Sequence, residues 1–415
     1  MNSLNITAWS KKIALIVQSG NRVVLELEDA SNSNFSPLLF ENSLFVETLV
    51  SRDSDIHSIG IINDSLPGNY GKNYLDKYFM DEFGKTPSII DRLSFVGKHA
   101  LGALEFTPSN DASEIESELY LSLEELKTQS RKIYEGEHSF ELAKLIAVTN
   151  SAAGGAKAKA VVDFNPTTKK IHISQKHDIA PSGFYKCIVK FNPNREFDLE
   201  SYNNEIKAEY IYYLLAKEVG LNISDSWLIE EEGAYYFITK RFDIKSDGQR
   251  VHMHSLAGLF GHDSSSFTMG YESLFRAGNM LALSQEDKEQ MFKTMAFNLV
   301  FANRDDHSKN FSFLMNSSGS WRYSPAYDLT YSVHNYGASW HQLTINKKPA
   351  HNATSLAITN IAKLCNVKEP LIILAKMIEI KSNTLEQLGN KYNMPTSFTE
   401  GVLDITKDID KRFSS

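Results

Sequence analysis

The apolar residues of this chain alternate along its first part and recur every four residues in its last third, so neither an all-β nor an all-α fold accommodates both patterns. Ile13, Leu15 and Val17, then Val23, Leu25 and Leu27, alternate on either side of Ser19-Gly20-Asn21, which predicts a hairpin. Residues 72–83 read as a helix and 101–106 as a short strand, followed by a polar, acidic linker over 107–118. Four short strands, at 160–164, 170–174, 185–191 and 234–240, are expected around a helix over 205–219 that Gly220 is placed to end. Beyond a polar loop at 245–250 the period becomes helical. Ser284 and Asp287 start a helix carrying Met291, Met295 and Leu299, and helical stretches resume near 355. At about 100–200 residues per domain, 415 residues make two or three packed units. The expected division is 1–140, a mixed α+β region; 141–245, a small sheet with one long helix; and 246–415, a helical region. No internal repeat is present. The fold class is α+β.

Charge and cysteine content then remove several functions. The net charge is −8 and the isoelectric point about 5.9, without the clustered Lys and Arg that grip a phosphate backbone, so DNA binding by the chain alone is not expected. Cys187 and Cys365 are too few for a disulfide framework or a Cys-rich zinc site, which points to a reducing compartment. The apolar run after Lys11-Lys12 is five residues long, too short for a signal peptide, and no window approaches the roughly 18 apolar residues of a membrane span. A soluble cytoplasmic protein is expected.

Chemistry concentrates in Asn303-Arg304-Asp305-Asp306-His307-Ser308-Lys309-Asn310, between an apolar helix and the strand-like Phe311–Leu314. Asp305 and Asn310 reproduce the D-x-x-x-x-N spacing of the protein-kinase catalytic loop. A carboxylate there orients or deprotonates the attacking hydroxyl, and a carboxamide oxygen helps hold Mg²⁺. Asp328, in Ser324-Pro-Ala-Tyr327-Asp328-Leu, follows a strand, a turn at Gly319 and another strand, as a kinase metal-binding Asp does. Upstream, Gly154, Gly155, Ala156, Lys157, Ala158 and Lys159 form a small-residue loop whose amides suit phosphate. It is neither a Walker A nor a G-x-G-x-x-G loop. Lys190 ends a strand and Glu209 lies on the next helix, the order of the kinase ion pair. Each of these taken singly also reads as an ordinary turn or solvated side chain; their order along the chain is the argument. His252-Met253-His254 supplies too few ligands for a metal, and Trp321, Tyr210, Tyr212 and Tyr213 read as packing.

With these motifs in place, the chain resembles the HipA-like toxin kinases of bacterial type II toxin–antitoxin systems. The resemblance rests on Asn303–Phe311, Ser324–Leu329, Lys240-Arg241-Phe242-Asp243, Gly154–Lys159, Asp64-Ser-Leu-Pro-Gly-Asn-Tyr-Gly71 and Gly102-Ala-Leu-Glu-Phe106, and runs from about Asn63 to Asp328. It implies a two-lobed, protein-kinase-like fold with a β-rich N-terminal subdomain and an all-helical C-terminal lobe. It also implies an ATP- and Mg²⁺-dependent serine/threonine kinase that arrests growth, acting on a translation-related protein such as an aminoacyl-tRNA synthetase. A HipB-like helix-turn-helix antitoxin would bind it and provide its contact with DNA. By the same resemblance Asp305 is the catalytic Asp, and His307, Ser308, Lys309 and Asn310 are the nucleotide and metal segment. Tyr327 and Asp328 accompany the metal, Lys190 is the ATP lysine, 154–159 the phosphate loop, and Lys240, Arg241 and Phe242 the hinge. Asn310 and Asp328 are the implied metal ligands. Ser151 stands where the family carries an autophosphorylated serine, although Ala152 replaces the second serine that some members have. A small-molecule kinase on the same scaffold and a catalytically silent corepressor are the alternative readings.

Overall fold

A computed structural model describes residues 2–50, 53–110, 119–135, 158–173, 179–191, 198–263, 269–331 and 340–414. The contacts divide the chain into two compact units, Met1–Leu199 with Trp227–Asp263 and Leu314–Ser320, and Glu200–Ser226 with Ser264–Phe313 and Trp321–Ser415.

The first unit carries two sheets. One contains β1 (Ser3–Ala8), β2 (Lys11–Ser19), β3 (Arg22–Leu27), β4 (Phe45–Leu49) and β5 (Glu105–Thr107) in the order β4-β3-β2-β1-β5, with all four pairings antiparallel. The expected hairpin is β2–β3, turned by Gly20 at φ 59°, a left-handed conformation that glycine adopts without steric cost. In β3 the alternation holds, with Val23, Leu25 and Leu27 buried. In β2 it shifts phase. Ile6 pairs with Ala14 but Thr7 pairs with Lys12, so Ile13 is an inserted bulge residue. Ile13, Ala14 and Ile16 are therefore buried, while Leu15 and Val17 are only partly covered.

The second sheet contains β6 (Leu119–Leu121), β7 (Lys159–Phe164), β8 (Ile171–Ile173), β9 (Tyr185–Lys190), β10 (Ser226–Glu231) and β11 (Ala234–Lys240) in the order β10-β11-β9-β7-β8-β6. The four strands expected between 160 and 240 are β7, β8, β9 and β11. One face packs Ala160, Val162, Cys187, Val189, Tyr236 and Ile238 into a core. Cys187 is a free, buried thiol whose ionisation burial suppresses.

The second unit is mainly helical, with Tyr271–Met280, Gln285–Val300, Ser355–Leu364, Pro370–Lys391 and Thr396–Phe413. The Ser284 hydroxyl accepts from the Asp287 amide, and Met291, Met295 and Leu299 are fully buried on the helix it starts. The buried ammonium of Lys381 donates to the Val300 carbonyl at 2.9 Å and to both carboxylate oxygens of Asp410 at 2.6 and 2.7 Å. This fixes the helix end that launches the 303–310 loop. The C-terminal region is not helical throughout: Ser312–Met315, Trp321–Tyr323, Thr344–Ile345 and Lys348–Pro349 are short strands. The first two are the strands expected on either side of Gly319; the last two, of two residues each, lack the run length that makes alternation readable. Among the described residues no helix is long and apolar enough to cross a membrane.

Candidate active site

The helix Gln285–Val300 stops because Ala302 takes φ 54° and the Asn303 amide turns back onto the Asn298 carbonyl at 3.0 Å. The chain leaves this buried end as the loop 303–307 and closes in a single turn of 3₁₀ helix, Ser308–Asn310. Within the loop, consecutive residues face opposite surroundings. The Asp305 side chain is 44% exposed, whereas that of Asp306 is fully buried. Asp305 Oδ1 lies 3.8 Å from His307 Nε2. The Asn310 carboxamide reaches back across the turn, Nδ2 donating to the Asp305 carbonyl at 2.8 Å. The D-x-x-x-x-N spacing thus closes a real loop, with the Asn310 oxygen turned away from the bond that holds it. His307 Nδ1 is buried and has no hydrogen-bond partner among the described residues, and Ser308 is buried.

Tyr327 fastens the second motif to the first. Its hydroxyl donates to the Lys309 carbonyl at 2.6 Å and accepts from the Ser312 hydroxyl at 2.6 Å. Asp328 follows at φ 55°, a left-handed conformation rare for a residue with a side chain and concentrated at functional sites. The Ala326 amide holds this segment in place by donating to the Asn222 carbonyl at 2.7 Å. Motif residues separated by eighteen positions are therefore brought together, with Tyr327 in a structural role beside Asp328.

Beneath the loop is a polar network that local sequence does not announce. Asp306 Oδ1 accepts from the Gln342 amide at 2.6 Å, and Oδ2 accepts from the Tyr271 hydroxyl at 2.6 Å and from His341 Nδ1 at 2.9 Å. Asn298 Nδ2 donates to the Tyr271 oxygen at 3.1 Å, and Asn303 Nδ2 to Asn298 Oδ1 at 2.9 Å. Burial and the adjacent Asp306 charge keep the Tyr271 phenol protonated far above its ordinary range.

In the first unit, Lys159 and Lys190 are buried partners across the β7–β9 ladder, and the Lys190 ammonium lies 5.9 Å from the Phe237 ring centroid. Lys240 lies 4.5 Å over the Tyr185 ring. Arg241 is buried and donates to Asp243 through Nε at 3.0 Å and a terminal nitrogen at 2.7 Å. Asp243 also accepts from the Gly102 amide at 2.6 Å. Burial opposes the Asp243 charge, but Arg241 and the amide outweigh it and lower the carboxyl's pKa. Phe242 is partly buried, and Ala158, on entry to β7, is buried. Ser151, Gly154, Gly155, Ala156 and Lys157 lie outside the described residues.

His252 and His254 are structural. His254 faces Asp64 Oδ2 at 2.7 Å through Nδ1 and the Ser36 hydroxyl at 2.9 Å through Nε2, while His252 Nε2 donates to the Phe35 carbonyl at 2.9 Å. Among the described residues no group of three or more His, Cys, Asp or Glu side chains is placed to hold a metal.

Residues 151–388, more than half of the chain, match the HipA-like C-terminal domain family. Among solved structures, HipA of Shewanella oneidensis MR-1, from a toxin–antitoxin complex of HipA, HipB and operator DNA, aligns over 99% of this chain and 97% of its own at 16% identity and a TM-score of 0.66. The proinflammatory kinase CtkA of Helicobacter pylori aligns over 63% of this chain and 90% of its own at 13% identity and a TM-score of 0.42. The mixed helix-and-strand architecture is that of HipA, a kinase-like fold, and the chain belongs to the HipA-like family.

Proposed function

We propose that this chain is an ATP- and Mg²⁺-dependent serine/threonine protein kinase that acts as the toxin of a toxin–antitoxin pair. The observation that carries the reading is the loop 303–310. It presents one exposed carboxylate, Asp305, on a backbone closed by Asn310 and anchored from below by a buried one, Asp306. That is an arrangement for orienting a hydroxyl near a phosphoryl group. Family membership supports the same reading.

The donor set fits Mg²⁺. This cation is held by one or two carboxylates together with substrate phosphates and water rather than by an all-protein cage. Asn310 and Asp328 offer that sparse oxygen set, and Asp328 is held at a left-handed φ. Mg²⁺ supplies charge to offset the phosphates of ATP. In the proposed reaction Asp305 accepts the proton of the attacking serine or threonine hydroxyl as its oxygen bonds to the γ-phosphorus and ADP leaves. Asn310 fixes the loop geometry and offers its carboxamide oxygen, while Lys190 and the 154–159 segment are assigned to the phosphates. Lys240, Arg241 and Phe242 are assigned to the adenine side, with Arg241 acting through its ion pair to Asp243.

By analogy with the HipA of the operator complex, the partner is a HipB-like helix-turn-helix antitoxin through which DNA is reached. An aminoacyl-tRNA synthetase is the proposed class of substrate. Labelled ATP added to lysate tests the reading. Label in protein seryl or threonyl phosphate supports it, label confined to metabolites supports a small-molecule kinase, and nucleotide binding without transfer supports a silent corepressor.

A further inference from the structure

The buried carboxylate beside the proposed base has no role in the chemistry described above, yet it accepts three hydrogen bonds. We propose that Asp306 is the positioning residue of the catalytic loop, clamping it to the downstream segment at His341-Gln342, so that a side chain in that segment sets turnover at Asp305. The inference rests on the kinase reading for its effect on rate and on geometry alone for the clamp.

Three donors converge on one carboxylate that solvent does not reach: the Tyr271 hydroxyl, His341 Nδ1 and the Gln342 amide, at 2.6, 2.9 and 2.6 Å. The residues that supply them stand thirty-five or thirty-six positions away, on opposite sides in sequence. One is at the start of the Tyr271–Met280 helix and the others lie beyond Asp328. A carboxylate with that many fixed donors has little rotational freedom, and Asp305 shares its peptide bond. Asn298 and Asn303 extend the network to the end of the Gln285–Val300 helix, so the loop is braced at its entry as well as at Asp306. The His341 ring is itself buried and stacks near that of His351, with centroids 6.4 Å apart. Its orientation is thus set by packing as well as by the bond to Asp306. Misplacement of a reacting group by about 1 Å costs about 10²-fold in rate, which is the scale on which such a brace acts.

The test compares His341→Ala, His341→Asn and Asp306→Asn in the full-length chain. Asparagine places its amide nitrogen where the imidazole Nδ1 stood and retains the donor; alanine does not. ADP release with a mixed seryl and threonyl peptide pool gives kcat and the KM for ATP. Amide hydrogen exchange compares 304–310 with the Gln285–Val300 helix. The expected result is a kcat lowered about 10- to 100-fold by His341→Ala and Asp306→Asn with the KM for ATP nearly unchanged, and kcat largely restored in His341→Asn. Exchange should rise at 304–310 but not within the helix. Unchanged kcat in His341→Ala and Asp306→Asn, equal impairment in His341→Asn and His341→Ala, or exchange rising equally through the helix would overturn the proposal. If the wild-type chain releases no ADP, the kinase reading fails, and the exchange comparison alone decides the clamp. Should Asp306→Asn fail to fold, the two His341 variants carry the test.

Discussion

Asp305→Asn separates activity from stability more cleanly than any other change in the loop. The carboxylate is 44% exposed and lies 3.8 Å from His307 Nε2, so the variant exchanges one largely hydrated side chain for another of nearly the same shape. Substitutions at such positions shift stability by about 0.5 kcal/mol or less, which for a protein of this size moves the melting temperature by about 2 °C at most. The Asn310 bond is made to the backbone carbonyl of residue 305, which the substitution leaves in place. The chemistry loses much more. Removing an orienting or proton-accepting group costs about 10²–10⁴-fold, or about 3–5 kcal/mol on the barrier at about 1.4 kcal/mol per tenfold. Transfer of labelled phosphate from Mg²⁺-ATP should therefore fall at least 100-fold, with the thermal transition and nucleotide binding near wild type. A well-folded Asp305→Asn protein that retains more than a tenth of the wild-type rate would refute the assignment.

Asn310→Ala should weaken Mg²⁺-dependent ATP binding and loosen the turn it closes, and Asp328→Ala should do so more severely; calorimetric titration at several Mg²⁺ concentrations measures both. Stability should fall with acidification where His252 begins to titrate. Burial, then His254, holds its folded pKa at about 3, below the ordinary value of 6.5, so between these the unfolded chain binds a proton that the native chain does not. His252→Gln should flatten the decline of unfolding free energy between pH 6.5 and 4, and an unchanged slope would reassign it. Incubation with Mg²⁺-ATP should add one phosphate to wild-type protein and none to Ser151→Ala or Asp305→Asn, read by intact mass. The purified chain, at net charge −8, should not retard operator-length DNA at physiological salt until a helix-turn-helix partner is added.

What sequence made legible was local. The spacing of Asp305 and Asn310 encodes a loop closed by a bond between residues five apart, and spacing is a property a sequence displays. The Met291, Met295 and Leu299 stripe and the alternation of Val23, Leu25 and Leu27 are periodic for the same reason. The phase of β2 was hidden because a one-residue bulge at Ile13 inverts the faces without altering composition. The strand Ser3–Ala8 alternates, with Leu4, Ile6 and Ala8 buried, but over only six residues, and Phe45–Leu49 buries no face, so pairing is what defines both. The Asp306 network was invisible for a different reason: neither Tyr271 nor His341 carries a local mark of its partner, and an acidic doublet in a loop reads as two solvated charges. The one available signal was the doublet's place, directly after the apolar end of a helix whose stretch Met291–Val300 is buried at all but Lys293.

That constraint explains why this loop holds two acidic residues in a row. Along an extended backbone successive side chains point to opposite sides, so one carboxylate faces solvent when its neighbour faces the helix bundle. A buried charge is tolerated only when its oxygens are fully bonded, and Asp306 has three donors, one of them a main-chain amide that substitution cannot remove. Asp305, the other member of the doublet, keeps its side chain 44% exposed. The same division recurs in Tyr327 and Asp328. The tyrosine hydroxyl is engaged by Lys309 and Ser312, and the aspartate beside it takes the left-handed conformation. In both pairs one residue holds the backbone, and its neighbour is the one proposed for chemistry. Exchanging Tyr327 and Asp328 would keep composition and charge intact, yet it would remove from position 327 the hydroxyl that reaches Lys309 and Ser312. In the acidic doublet the two residues are the same, and the side of the backbone that each position faces decides which carboxylate is buried.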